Sequence, residues 1–144
     1  MNDDSLPAQS LFIQPDIFAE LGEFQRVGEL YGIDSATLMY VAETEGELVL
    51  LSDGVWDNLE NTDSRDIHAG DWETVAHNSV VLKRNYNDLK NKLQTGKEID
   101  APIIMKYRGM YHLVSGNTRL MVARALGISP SVLVFEVFDN EAGI

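Results

Sequence analysis

The stretch from Ile103 to Phe138 limits the possible folds more than any other part of the chain. Ile103-Ile-Met reads as a strand, Tyr107-Arg-Gly-Met as a tight turn and Tyr111-His-Leu-Val as the returning strand. Ser115-Gly-Asn-Thr then opens a helix that carries Leu120, Ala123 and Leu126 on one side. Gly127 is placed to end that helix, with Pro130 just beyond it. Ser131-Val-Leu-Val-Phe-Glu-Val-Phe forms a last strand whose long apolar side suits a buried position. A hairpin that feeds a helix and a further strand sets a mixed α+β architecture.

Upstream, Ile17, Leu21, Phe24, Val27 and Leu30 recur at three- and four-residue steps, which predicts an amphipathic helix over 16–30. Gly32 breaks it, and Asp34-Ser35 suits the cap of a short second helix. Residues 38–51 fit either a hairpin turning at Thr44-Glu-Gly-Glu or a helix through Ala42 followed by one strand. Asp53 to Asp71 reads as a long acidic surface loop with one short helical turn, pinned to the core by Trp56 and Trp72. Val75 to Leu82 reads as a strand. Leu82, Tyr86, Leu89 and Leu93 then form a helical stripe closed by Gly96. The first ten residues read as a loose arm.

With 144 residues, 44 % of them apolar, the chain is long enough for one domain with one core. It is expected to divide into an acidic helical and loop layer over residues 1–82, a core over 83–138 and a tail over 139–144. The absence of cysteine excludes disulfides, zinc–thiolate sites and thiol catalysis. No long apolar run and no basic-then-apolar leader is present, so a soluble cytoplasmic protein is expected.

The formal net charge is −12, which opposes passive adhesion to nucleic acid or to an anionic membrane. The charge is unevenly spread. Residues 1–82 hold 17 Asp/Glu and 2 Lys/Arg, whereas residues 83–124 hold 9 Lys/Arg and 3 Asp/Glu. The basic segment therefore meets an anion, or the acidic half of the same chain neutralises it.

Chemistry concentrates at Val114-Ser-Gly-Asn-Thr-Arg-Leu. A helix N-terminus carries amide groups without intrahelical partners and a partial positive charge, and so attracts phosphate. Gly116 leaves room for close approach, Ser115 and Thr118 bring hydroxyls, and Arg119 can fork two hydrogen bonds onto phosphate oxygens. Lys106, Arg108 and His112 belong to the preceding hairpin and are candidates for the same mouth. The same residues also suit a plain helix start, with Asn117 or Thr118 as the cap and Arg119 exposed.

Asp100-Ala-Pro-Ile-Ile, then Gly109 through Ile128 with Ser-Gly-Asn-Thr-Arg-Leu at its centre, then Val132-Leu-Val, resembles the ParB/sulfiredoxin-like domain. In particular it looks like small bacteriophage-type ParB-like proteins. The resemblance covers about residues 85–138 and implies a small mixed sheet with packed helices and a phosphate-binding helix N-terminus after the hairpin. It implies a nucleotide as cofactor (ATP, ADP or CTP), with Mg2+ where phosphate is transferred, and places Gly116, Asn117, Thr118 and Arg119 at the phosphates. Members of the family hydrolyse CTP, phosphorylate sulfinic acids or serine, or are described as nucleases. Asn117 stands where sulfiredoxins carry their cysteine, so that chemistry is excluded here. The CTP-binding branch carries Glu at that place and a further arginine, which Asn117 and Leu120-Met121 do not reproduce.

Three functions follow as expectations. The first is nucleotide-phosphate binding through Ser115 to Arg119 with Lys106 and Arg108, including hydrolysis or transfer, for which Glu98 and Asp100 are the nearest candidate catalytic carboxylates. The second is an acidic protein-binding or nucleic-acid-mimicking module with a vestigial pocket. The third is a metal-dependent nuclease. Expected partners are a nucleotide, a protein docked on the acidic half and a second copy of the chain. The acidic residues from Asp53 to Asp71 lack EF-hand order and His68, His77 and His112 are scattered, so no metal site is assigned.

Overall fold

A computed structural model describes residues 8–82 and 85–139 and shows a mixed α+β fold built on a small mixed sheet. Helices are α1 (Leu21–Tyr31), α2 (Ser35–Glu45), α3 (Asp53–Asp57), α4 (Trp72–Leu82), α5 (Tyr86–Gln94) and α6 (Asn117–Leu126). Strands are β1 (Phe12–Ile13), β2 (Glu47–Leu50), β3 (Ile99–Asp100), β4 (Ile103–Tyr107), β5 (Met110–Ser115) and β6 (Ser131–Val137). The main sheet has the order β2-β6-β4-β5, and β1 pairs with β3 in a separate two-stranded ribbon.

The hairpin β4–β5 closes through Arg108 and Gly109, both at positive φ, as a two-residue type I′ connection requires. β5 runs into α6, which carries the chain back so that β6 lies parallel to β4. β6 has neighbours on both sides, matching its long apolar side, and β2 pairs antiparallel with it as an edge. The acidic N-terminal half thus supplies a strand of the same sheet.

Each sheet face has its own apolar layer. Ile103, Met105, Leu133 and Phe135 pack under α1 and α2, against Phe24, Val27, Leu38 and Val41. Ile104, Leu113 and Val132 pack under α6, with Trp56, Leu59, Ile67, Val75 and Leu93 around it. Trp56 is buried, and its indole N–H donates to Ser64 Oγ at 3.0 Å, which fixes the loop after α3. Trp72 is half-buried and stacks on Tyr86 with ring centroids 6.1 Å apart.

Several expectations change. The helix expected over 16–30 begins as a 3-10 turn at Phe18–Glu20, because Asp16 Oδ1 accepts from the N–H of Phe18 at 3.1 Å and turns the chain first. Leu21 and Leu30 of its apolar stripe are exposed. Of the two readings for 38–51, the helix followed by a strand is observed. Asp34 caps α2 through Thr37 N–H at 3.1 Å, and Leu38, Val41 and Ala42 bury its inner face.

Val75 to Leu82 is helix, not strand. Asp71 Oδ1 accepts from Thr74 N–H at 3.3 Å at the helix start, and Val75 and Ser79, one turn apart, are both buried. The side chain of Leu82 and residues 1–7, 83–84 and 140–144, which include most of the expected arm and tail, lie outside the described residues. Among the described residues no helix is long and apolar enough to cross a membrane.

Candidate functional site

α6 starts abruptly. Gly116, at φ 108°, occupies the cap position with no side chain to bond, so neither Asn117 nor Thr118 is the cap. The first intrahelical bond runs from Leu120 N–H to Gly116 O at 2.9 Å. The N–H groups of Asn117, Thr118 and Arg119 donate to no other described residue, as expected for the first helical turn. The glycine is needed for packing. A Cβ at Gly116 would sit 2.7 Å from Pro102 Cβ and 2.9 Å from Pro102 Cα.

Asn117 turns away from the helix end towards the loop after α3. Its Oδ1 accepts from Thr62 Oγ1 at 2.7 Å and from Asp63 N–H at 2.9 Å, and its Nδ2 donates to Asp63 Oδ2 at 2.9 Å. Asn117 is therefore the latch of this loop. The loop is tied a second time to β5, where Glu60 N–H donates to Tyr111 O and Leu113 N–H to Glu60 O, both at 2.9 Å.

Arg119 is likewise engaged. Its terminal nitrogens donate to Asp100 O at 2.9 Å, Ala101 O at 3.3 Å, Glu20 Oε1 at 3.0 Å and Ser115 Oγ at 3.0 Å. The expectation of an exposed arginine is corrected here. The guanidinium staples the β3–β4 connection, the turn before α1 and the end of β5, and only 15 % of the side chain is exposed. The Ser115 hydroxyl is buried and taken up by the same staple.

Thr118 is the opposite case. It is 6 % exposed, and its hydroxyl finds no partner. It stands between two clefts. One, of about 240 Å³, has Glu23, Arg26, Asn61, Asp63, Gly116, Asn117 and Thr118 on its walls. The other, of about 280 Å³, lies against Asn85, Asp88 and Leu89 of the α5 start. Arg26 on α1 donates to Val114 O at 3.1 Å and to Glu23 Oε2 at 3.3 Å, which brings a half-exposed guanidinium to the first cleft. Sequence reasoning passed over Arg26 and Asn61, because nothing local marks them, and weighed Asp63 only as one of the acidic residues of its loop.

The remaining candidates are not gathered here. Arg108 sits in the hairpin turn, bonded to Asp139 at 3.0 Å, which holds its guanidinium pKa above the usual value. The turn and the α6 start lie at opposite ends of β5, roughly 17 Å apart by strand rise. Lys106 lies over the Tyr111 ring at 5.6 Å, on the open part of one sheet face. His112 is buried, with Nδ1 2.6 Å from the Tyr31 hydroxyl, and Asn61 Nδ2 donates to that same oxygen at 3.0 Å. Burial holds the imidazole pKa below its ordinary value, while Glu60 and the Tyr107 carbonyl act the other way.

Glu98 is exposed, and the Asp100 carboxylate accepts from Asp16 N–H at 3.3 Å. Neither lines either cleft at the α6 start. Among the described residues no three histidine, aspartate or glutamate side chains converge as a metal site.

No family model, curated protein or solved structure matches this chain.

Proposed function

We propose that the chain binds the phosphate of a nucleotide at the N-terminus of α6, on the Arg26 side. One observation carries the reading: Thr118 keeps a buried hydroxyl unbonded beside three open backbone N–H groups. An unpaired hydroxyl in such a place costs about 1–3 kcal/mol. An oxyanion in the cleft would satisfy both the hydroxyl and the amides, with the helix dipole adding to the attraction. Arg26 supplies the cation on this side of the helix end, where Arg119 is not on the cleft wall. The likeness of Ser115 to Leu120 to the ParB/sulfiredoxin-like phosphate loop supports the same assignment.

In this reading Gly116 and Arg119 are positioning residues, and Asn117 orders the wall formed by Asn61 to Asp63. Glu23 and Asp63 are the carboxylates that would face a magnesium ion carried in with the phosphates. The proposal is one of binding, since Glu98 and Asp100 stand away from the cleft.

Calorimetric titration with ATP, ADP, CTP and GTP, with and without magnesium, tests it. Binding by at least one nucleotide is expected, weakened about tenfold or more in Thr118→Val and in Arg26→Ala, consistent with roughly 1.4 kcal/mol or more for each contact. Equal affinity in both variants, or no heat with any nucleotide, overturns it.

A further inference from the structure

A second site lies on the sheet, away from α6. α6 and its neighbours cover one end of their sheet face and leave the other end open as a groove of about 350 Å³. Val49, Val132 and Val134 form its floor, and Glu45, Glu47 and Glu136 stand around it. The single cation on its walls is Lys106. Among the described residues none of these four charged groups is within ion-pair distance of an opposite charge.

The groove is bordered by β2, whose outer edge pairs with no described strand. Leu51 N–H donates inward to Pro130 O at 2.9 Å, so by alternation Leu48 and Leu50 point their N–H and C=O groups outward. Their side chains, with that of Val49, are 40–55 % exposed. Edge strands are ordinarily blunted by shortness, charge, proline or a bulge; β2 is four residues long with one charge, Glu47, and has no lysine, proline or bulge.

We infer that β2 and this groove accept an extended, lysine- or arginine-rich segment of another protein as an added strand. Backbone bonds to Leu48 and Leu50 would hold the segment, and its cations would meet Glu45, Glu47 and Glu136. The charge selects this occupant over a second copy of the chain. Two copies paired through β2 would bring two sets of unpaired glutamates together, on chains that each carry −12.

The test is fluorescence anisotropy with a labelled heptapeptide alternating lysine and valine, and a control peptide with glutamate in place of lysine. The lysine peptide is expected to bind and the glutamate peptide to fail. Leu50→Pro removes an outward N–H while keeping every groove charge, and Glu47→Lys/Glu136→Lys reverses charge while keeping the backbone. Each is expected to weaken binding at least tenfold. Absence of binding by the lysine peptide overturns the inference. Unchanged affinity in Leu50→Pro also overturns it, since that marks general attraction to an acidic surface. So does unchanged affinity in the charge-reversed protein.

Discussion

Arg119 and Glu20, ninety-nine residues apart, form a 3.0 Å ion pair with both side chains at least four-fifths buried. The same guanidinium holds the carbonyls of Asp100 and Ala101, so one side chain joins three segments of the fold. Arg119→Ala leaves a largely buried carboxylate and two carbonyls without their donor. It is expected to destabilise the protein by about 3 kcal/mol, read as a shift in urea midpoint at constant slope. An unchanged midpoint would return Arg119 to the role of a free ligand-binding cation.

Gly116→Ala meets two obstacles, a φ of 108° and Pro102 at 2.7 Å. A loss of at least about 3 kcal/mol is expected. Gly96→Ala, at φ 76° with nothing near the new Cβ, should cost about 1–2 kcal/mol. Thermal unfolding of the two compares a glycine at φ 108° against Pro102 with one at φ 76° in open space. Equal losses would contradict the larger cost expected at Gly116.

The pH response follows from His112. Its pKa in the fold lies below the unfolded value of 6.5, so the unfolded chain takes up a proton first as pH falls. The stability due to a neutral His112 is complete above pH 6.5 and is lost as pH drops from there towards the lowered folded value. Urea unfolding between about pH 7.5 and 5.5 should show this decline, and His112→Gln should flatten it. A stability that rises as pH falls through this window would contradict the assignment.

The parts that were legible in the sequence are those whose determinants lie close together. Arg108-Gly109 marks a two-residue turn, and Gly127 ends α6 at φ 73°. α4 was not legible, because Ser79-Val-Val-Leu is an apolar run that fits a buried strand as well as a helix. The start of α6 was visible as a glycine before a helix, but the duties of its side chains were not. Asn117 is occupied by Thr62 and Asp63, and Arg119 by groups 4 to 99 positions away. These partners are set by how the loop after α3 and the turn before α1 fold onto the sheet. Thr118 differs because the fold leaves its hydroxyl unused.

That unused hydroxyl predicts opposite effects on stability and on binding. Thr118→Val replaces an unbonded buried hydroxyl with a methyl group of similar size, so the unliganded protein should gain about 1 kcal/mol. Denaturant unfolding checks this. A loss of more than that amount would mean that the hydroxyl already has a structural partner.

The most direct test of the phosphate site is an amide NMR titration with ATP, ADP, CTP and GTP in turn. The account predicts that one of them shifts the Asn117, Thr118 and Arg119 amide signals together, saturably, with Thr118→Val weakening the response about tenfold or more. Saturation elsewhere with these three signals unmoved, or no saturable shift with any nucleotide, would contradict it.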